Sequence, residues 1–419
     1  MASQDLPKPD YAWNMKLIGH SDQGGRPDGV QLMINKGYAF VGHMFSKGFS
    51  VIDVRDPRKP KPVKYMPAAP NTWMIHLQTH GDLMLVINAR DMFAAEEFQD
   101  ERQYYRGSHA EQSAAEADVS GKRNWTAGMG VYDISNPEEP RQIGFMPIEG
   151  GGIHRIWYVG DRWAYVSALL DGFTDYIFVT VDMADPTRPK EAGRYWLPGM
   201  NTAAGETPNW PSTRRYGLHH AIVNGDTAYG AWRDGGLVMM DVADRAAPKL
   251  ITHRNWCPPY GGGTHNCLPL PDRQLLVVVD EAVLDHCEDG IKYIWMFDIR
   301  EPTNPIGIST FPTPDEADYV KKGAHFGPHN IHENRPDALV SSTLIFSTYQ
   351  NAGIRVTDIG NAYRPKEVAA FVPPEPRQLA DRRPNRNKVI QSCDVYVTAD
   401  GIIYTTDFNG GMYILEYEG

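Results

Sequence analysis

Cysteine is scarce. Four occur in 419 residues, at positions 257, 267, 287 and 393, and none forms a CxxC pair. So sparse a set argues against a disulfide framework in so long a chain, and a reducing cytoplasm is the expected location. Positive charge is also in deficit. Lys and Arg number 41 against 52 Asp and Glu, a net charge of −11, with no basic tail. That balance excludes a general nucleic-acid binder, which needs clustered cations to meet phosphates. Long apolar runs are missing too: no stretch of about 18 apolar residues exists to cross a bilayer as a helix. The first residues, "MASQDLPKPDYAWNMK", lack the apolar segment and cleavage site of a secretory leader. No GxGxxG follows a strand, and GxxxxGK[ST], GxSxG and HExxH are absent. Nucleotide-cradling loops, a serine-hydrolase elbow and a helical zinc-protease site are therefore unsupported.

What the chain does have is punctuation. It carries 39 Gly, 32 Pro and 11% aromatic residues, a mix that favours many short strands and turns over long helices. One pattern recurs: three or four apolar residues, an acid, an apolar residue, then a polar turn. It reads "FSVIDVRDP" (Asp53), "MGVYDISNP" (Asp133), "IFVTVDMADP" (Asp182), "LVMMDVADRAAP" (Asp241), "IWMFDIREP" (Asp298) and "IRVTDIGNAYRP" (Asp358). A truncated seventh copy, "MYILEYEG" (Glu416), ends the chain. Within a unit a strand enters a turn such as "NGD", a second strand follows, then the acid-bearing third strand, then a fourth. Four antiparallel strands repeated seven times predict an all-β, seven-bladed β-propeller, one domain over residues 1–419. The last copy stops after its third strand, and "MKLIGHSD" (Met15 to Asp22) resembles the fourth strand "PKLITHRN". An N-terminal strand is therefore expected to complete the last blade and remove the open edge. The recurring acid is expected to bond backbone amides of its own turn.

In this third-strand motif the chain resembles the LVIVD-repeat β-propeller family, over nearly its whole length. "FSVIDV", "LVMMDV" and "IRVTDI" share the apolar–acid–apolar core. The resemblance implies the fold and says little of chemistry, because one fold hosts many functions.

Three insertions interrupt the repeat, at about 91–125, 199–217 and 311–328. The first, rich in Ala, Glu and Gln, favours helix. All three follow second or fourth strands, so they are expected on one face, as a lid over the central channel.

Histidine, 14 of 419 residues, falls repeatedly in one register. Six residues before the first hairpin turn stand His154 in "HRIWYVG", His219 in "HHAIVNG" and His265 in "HNCLPLP". His329 opens "HNIHENRPD" with a longer turn, Asp394 fills the slot in the seventh unit, and His76 lies one residue out of step. These positions begin the innermost strands, so the imidazoles of His154, His219, His265 and His329 are expected to meet on the axis. Neutral imidazole is the commonest metal ligand, and three or four on a rigid ring leave coordination positions open. One divalent transition metal (Zn, Mn or Fe) is the expected cofactor. Strand faces alternate, so His220 is the alternative to His219, and His325 or His332 to His329. His20, His109, His253 and His286 lie outside the register.

Second-strand ends reach the same face and supply a polar rim. Glu281, Asp280 and Tyr349 are candidates for proton transfer, Glu281 or Asp280 also for orienting a histidine. Arg233 and Arg155 are candidates to hold a carboxylate or a developing oxyanion. His220, His43, Trp232 and Asp394 complete the candidate substrate-binding set. The reading that follows is a metal-dependent lyase, isomerase or hydrolase acting on a small polar molecule. Two alternatives stand beside it: a four-histidine non-haem iron oxygenase, similar in ligand type to the carotenoid-cleaving propellers, and a non-catalytic scaffold. A small-molecule substrate is expected, with no nucleic-acid or membrane partner, and self-association is allowed.

Overall fold

The structure is a computed structural model and describes residues 6–94, 102 and 123–419. The described residues are all-β with almost no helix, their short helical segments including Thr202–Ala204 and Glu316–Tyr319. Among the described residues no helix is long and apolar enough to cross a membrane.

Among the described residues most strands form groups of four in chain order, paired antiparallel. The unit around Asp241 is representative: Tyr216–Asn224, Thr227–Arg233, Leu237–Asp241 and Lys249–Arg254 lie in that spatial order. Gly225 makes its first hairpin turn with φ of 58°, a left-handed conformation that glycine adopts without penalty. Apolar residues of the middle strands face both neighbouring sheets. Phe40, Phe49, Phe178 and Phe371 are completely buried there, each contributing about 2 kcal/mol of apolar burial.

The recurring acid acts as expected. Asp53, Asp133, Asp182, Asp241, Asp298 and Asp358 each accept the amide two residues on, at 2.7–3.1 Å. The N-terminal strand Met15–Ser21 pairs with Gly411–Tyr417, from Met15 opposite Tyr417 to Ser21 opposite Met412. An additional strand precedes it. Tyr11–Trp13 lies outside Lys366–Val372 as an outer edge of the Asp358 sheet, which the repeat pattern does not foresee. That sheet also departs from the expected four regular strands at its inner side. Only Ile331 bridges Ser347 there, although the amides of His329 and His332 still bond Thr348 and Phe346.

First strands of successive sheets lie side by side: Gly29–Asn35 by Leu77–His80, Leu77–His80 by Gly150–Trp157, then Tyr216–Asn224, then Thr264–Leu270. Ser392–Val397 in turn lies against Gly29–Asn35. The predicted helical insertion at 91–125 lies outside the described residues, apart from 91–94, 102 and 123–125. The 199–217 insertion is tied to the Gly172 turn, Thr202 Oγ1 donating to the Gly172 carbonyl at 3.0 Å, and none of its residues lines the histidine cavity. A loop that the spacing conceals, residues 373–391, does reach it through Asp381, Arg383 and Gln391.

Candidate metal centre

The inner strands carry bulges where the histidines sit. Pairing of Gly150–Trp157 with its neighbour skips between Ile153 and Arg155, leaving His154 as the extra residue. The same happens between Thr264 and Asn266, at His265, and between Tyr216 and His220, across His219. A bulge suspends the strict in–out alternation of a strand. Two successive side chains can then both face the channel, at different depths. His219 points into an upper cavity and His220 into a lower polar layer.

Six imidazoles line the upper cavity, His76, His154, His219, His265, His325 and His329, and all but His325 form one row of ring contacts. Ring centroids are 4.7 Å apart for His76 and His154, 4.6 Å for His154 and His219, 3.6 Å for His219 and His265, and 4.5 Å for His265 and His329. Three are fixed by carbonyls of the neighbouring inner strand. Nδ1 of His76 donates to His154 O at 2.5 Å, that of His219 to His265 O at 2.8 Å, and that of His329 to Cys393 O at 2.6 Å. A proton committed to Nδ1 leaves the lone pair on Nε2, the arrangement that orients metal-binding histidines. Burial, reinforced by neighbouring Arg and His charge, pushes His76, His154, His219 and His265 well below the usual imidazole range. They are therefore neutral at pH 7 and can act as ligands.

Glu281 lies across this ring. Its carboxylate is 3.5 Å from Nε2 of His265 and 3.3 Å from Nε2 of His329. Ligand atoms of these three buried residues lie within 4.8 Å of one another, a geometry able to hold a cation. Burial would raise the Glu281 carboxyl, but His265 and Arg233 outweigh it and hold the group well below its ordinary range. Arg233 bonds Glu281 directly. Its backbone φ is 49°, a left-handed conformation costing about 1–2 kcal/mol for a residue with a Cβ. The cavity encloses about 90 Å³, room for a few waters or one small molecule. Trp73, Phe45, Phe93 and Phe408 wall it.

Below the histidines is a buried ionic layer. Glu333 accepts from Nε2 of His220 at 2.9 Å, Arg155 at 3.3 Å and Gln78 at 3.4 Å. Arg335 joins it through Gln78 at 2.5 Å and the carbonyl of Tyr158 at 2.8 Å.

Of the residues singled out in the sequence, His76, His154, His219, His265, His325, His329, Glu281 and Arg233 line the cavity. The others lie elsewhere, which corrects the rim as read from strand ends. Asp280 points to the opposite side of its strand from Glu281 and accepts from Trp256, Trp295 and Thr264 at 2.7–2.8 Å. Burial raises its carboxyl to about 6. Tyr349 packs on Phe326, ring centroids 5.3 Å apart. Trp232 is wholly buried in the main apolar core. His43 bonds Ser50 Oγ at 2.7 Å and faces Asp28 at 3.6 Å, all three buried. Arg155 and His220 belong to the ionic layer. Asp394 accepts the amide of Leu32 at 3.0 Å, and burial raises it to about 6. The fifth imidazole of the row, His76, was legible as a register member one residue out of step, because its hairpin is one residue shorter. Phe45, Phe93, Asp381 and Arg383 carried no sequence signal.

In sequence, an LVIVD repeat matches residues 221–255, which run from the first strand of the Asp241 unit past its fourth. No curated protein matches the chain. Three solved structures resemble it at low identity. The Cps50 (Swd1) β-propeller domain of Myceliophteria thermophila is 9% identical, TM-score 0.54, covering 96% of this chain and 99% of that one. The WD40 β-propeller domain of Doa1 is 9% identical, TM-score 0.53, covering 98% and 97%. A hypothetical selenium-binding protein from Sulfolobus tokodaii is 12% identical, TM-score 0.55, covering 91% and 90%. At such identities the likeness concerns the fold alone.

Proposed function

We propose that this chain, a β-propeller carrying an LVIVD repeat, holds one divalent transition metal on its axis and uses it as a non-redox enzyme on a small polar molecule. The carrying observation is the ring of buried imidazoles, three of them with Nδ1 bonded to a neighbouring carbonyl. His154, His219, His265 and His329 are the proposed ligands, with His76 adjoining them and Glu281 as a carboxylate ligand or neighbour. Seven four-stranded blades in a closed ring are part of the same proposal. The pairing of Met15–Ser21 with Gly411–Tyr417, and the contact of Ser392–Val397 with Gly29–Asn35, support it.

A divalent ion there would polarise a carbonyl, carboxylate or hydroxyl oxygen. The chain's own groups do the rest. Glu281, ionised at neutral pH, accepts a proton or holds a ligand water. Arg233 offers a fork-shaped cation to an anionic oxygen. A cavity of about 90 Å³ suits a small substrate better than the long polyene of the oxygenase alternative.

Elemental analysis of the purified protein tests the metal. About one equivalent per chain is expected, falling below a tenth in His219→Ala and His265→Ala. Protein that is metal-free as isolated, and that takes up no Zn, Mn or Fe in calorimetric titration, would overturn the reading. For the enzyme, Arg233→Ala should lower turnover of the identified substrate at least tenfold while retaining the metal.

A further inference from the structure

A pocket of about 220 Å³ lies beside the histidine cavity and shares Arg233 with it. Besides Arg102, its walls come from four stretches of chain: Thr213 to Arg215, Arg233 with Asp234, Gly261 with Gly263, and the segment from Val283 to Lys292. Basic side chains outnumber acidic ones five to two in this lining, so its charge favours an anion. Glu288, Asp175 and Glu281, which bond Arg102, Arg215 and Arg233, stand outside it.

Two of the bases have unmet capacity. Arg233 is 7% exposed and gives Nη1 to Glu281, while its Nε is buried without a partner. Arg214 is half-buried, and its partner is Sγ of Cys257 at 2.9 Å rather than a carboxylate. Burial pushes that thiol up to about 11, so it is neutral at pH 7 and leaves the guanidinium charge standing. Lys292 is committed: it donates to the carbonyls of Gly261 and Gly262 at 2.8 and 3.0 Å and pairs with Asp289 at 3.2 Å. The two acids differ. Asp234 holds main-chain amides with both oxygens, those of Gly263 at 3.1 Å and Arg215 at 2.9 Å. Asp289 holds the amide of Val283 at 2.9 Å and Lys292 through Oδ2, and its Oδ1 is buried without a partner. An unmet buried polar atom costs about 1–3 kcal/mol. Here an N–H that wants a charged oxygen and a carboxylate oxygen that wants a donor belong to one pocket, and a single ligand carrying both groups meets them.

We propose that this pocket binds a small oxyanion that also carries an O–H group: its charged oxygens lie against Arg214 and Nε of Arg233, and its O–H donates to Asp289. The terminal nitrogens of Arg233 stay with Glu281 and the histidine cavity. Hydrogen phosphate and the hydroxycarboxylates have this chemistry, whereas sulfate and plain carboxylates do not. The site requires no passage between the two spaces and does not depend on the proposed metal, so it is tested on chelator-treated protein. Calorimetric titration at pH 7 compares inorganic phosphate with sulfate, and malate with succinate. Phosphate or malate should bind saturably, at about one per chain and at least tenfold more tightly than its counterpart without the O–H, because an acceptor left unmet rejects the analogue. The pair that shows the preference tells a phosphoryl group from a hydroxycarboxylate. Arg214→Ala should weaken the preferred anion at least tenfold, with Arg214→Gln in its place if R214A does not melt cooperatively. Asp289→Asn, which offers an N–H where the carboxylate stood, should bring the two members of that pair within threefold. Failure of both phosphate and malate to bind, equal affinity within both pairs, or unchanged affinity in a folded Arg214 variant overturns the proposal. A preference that survives in folded D289N overturns it equally.

Discussion

A carboxyl buried where no cation meets it ionises late, and Asp407 is such a group. It accepts the amides of Asn409 and Gly410 at 2.8 and 2.7 Å, yet burial raises it from the ordinary 3.8 to about 7. The folded state therefore binds this proton more tightly than the unfolded chain. The stability it brings is complete below about pH 4 and is lost as pH rises through about 7, by up to ~4 kcal/mol. Asp407→Asn keeps the acceptor oxygen and cannot ionise. Wild type should therefore lose melting temperature relative to D407N between pH 5 and pH 8 in calorimetry, and parallel pH curves would refute the assignment. Glu333 is the opposite case. Burial would raise its carboxyl, but His220 and Arg155 hold it well below its ordinary range. Glu333→Ala strands Arg155 and Arg335, at 1% and 3% exposure, and should cost about 3–5 kcal/mol in denaturant unfolding; a loss under 1 kcal/mol would mean water replaces the carboxylate. Glu333 and the repeat acids also mark what was legible residue by residue. The repeat acids were readable because each bonds its own turn two residues on, a local rule. Glu333 was not, because its partners come from strands more than a hundred residues away in sequence.

At the scale of strands, the histidine register was readable for a related reason: the inner strand begins a nearly fixed distance before its hairpin turn. What the register hides is the bulge. Alternation alone would send His219 and His220 to opposite sides of the sheet, yet both enter the channel at different depths, and Arg155 follows His154 inward likewise. The rim read from second-strand ends fails by the same logic in reverse. Asp280 and Glu281 are adjacent, no bulge intervenes in Leu275–Asp280, and so only Glu281 faces the cavity. The bulged strand of the His154 unit also depends on a close approach. Gly152 has φ of 119°, and a Cβ there would lie 2.3 Å from Cα of Ala89 on the next sheet. Gly152→Ala must push the two inner sheets apart beside His154, at a cost of about 1–3 kcal/mol, and should weaken metal uptake with it. Gly225→Ala is the control: its φ of 58° carries strain, but nothing lies within 4 Å of the added methyl. Thermal melts should rank G152A below G225A, and only G152A should lose metal. The reverse order would show that the sheets yield at this contact.

A propeller whose inner strands touch only their neighbours is stable as a sum of sheet–sheet contacts, and, if its ring is closed as proposed, a break at any one contact opens a pair of edges. The chain guards against this in two ways that its sequence only half discloses. Met15–Ser21 ties the beginning of the chain to Gly411–Tyr417, a pairing foreseen from the likeness of two short strands. The second tie is the axis itself. His76, His154, His219, His265 and His329 belong to five successive units, so an ion shared among their imidazoles would clamp those units from the inside. The loop 373–391 that helps roof this point went unseen because Asp358 and Glu416 are spaced like their predecessors, the extra loop length having moved without altering the period. If the axial ion binds the folded chain alone, its contribution to stability is set by mass action. Free metal at one hundred times its dissociation constant should add about 2.7 kcal/mol. Melting temperature should then climb with metal concentration, drop with chelator, and stay indifferent to both in His219→Ala. Because the clamp spans five units, tryptophan fluorescence, to which Trp73 beside the cavity contributes, and far-UV dichroism, which reports on every strand, should shift together. A fluorescence shift without a dichroism shift would mean that the ion stiffens its own pocket and leaves the ring as it was.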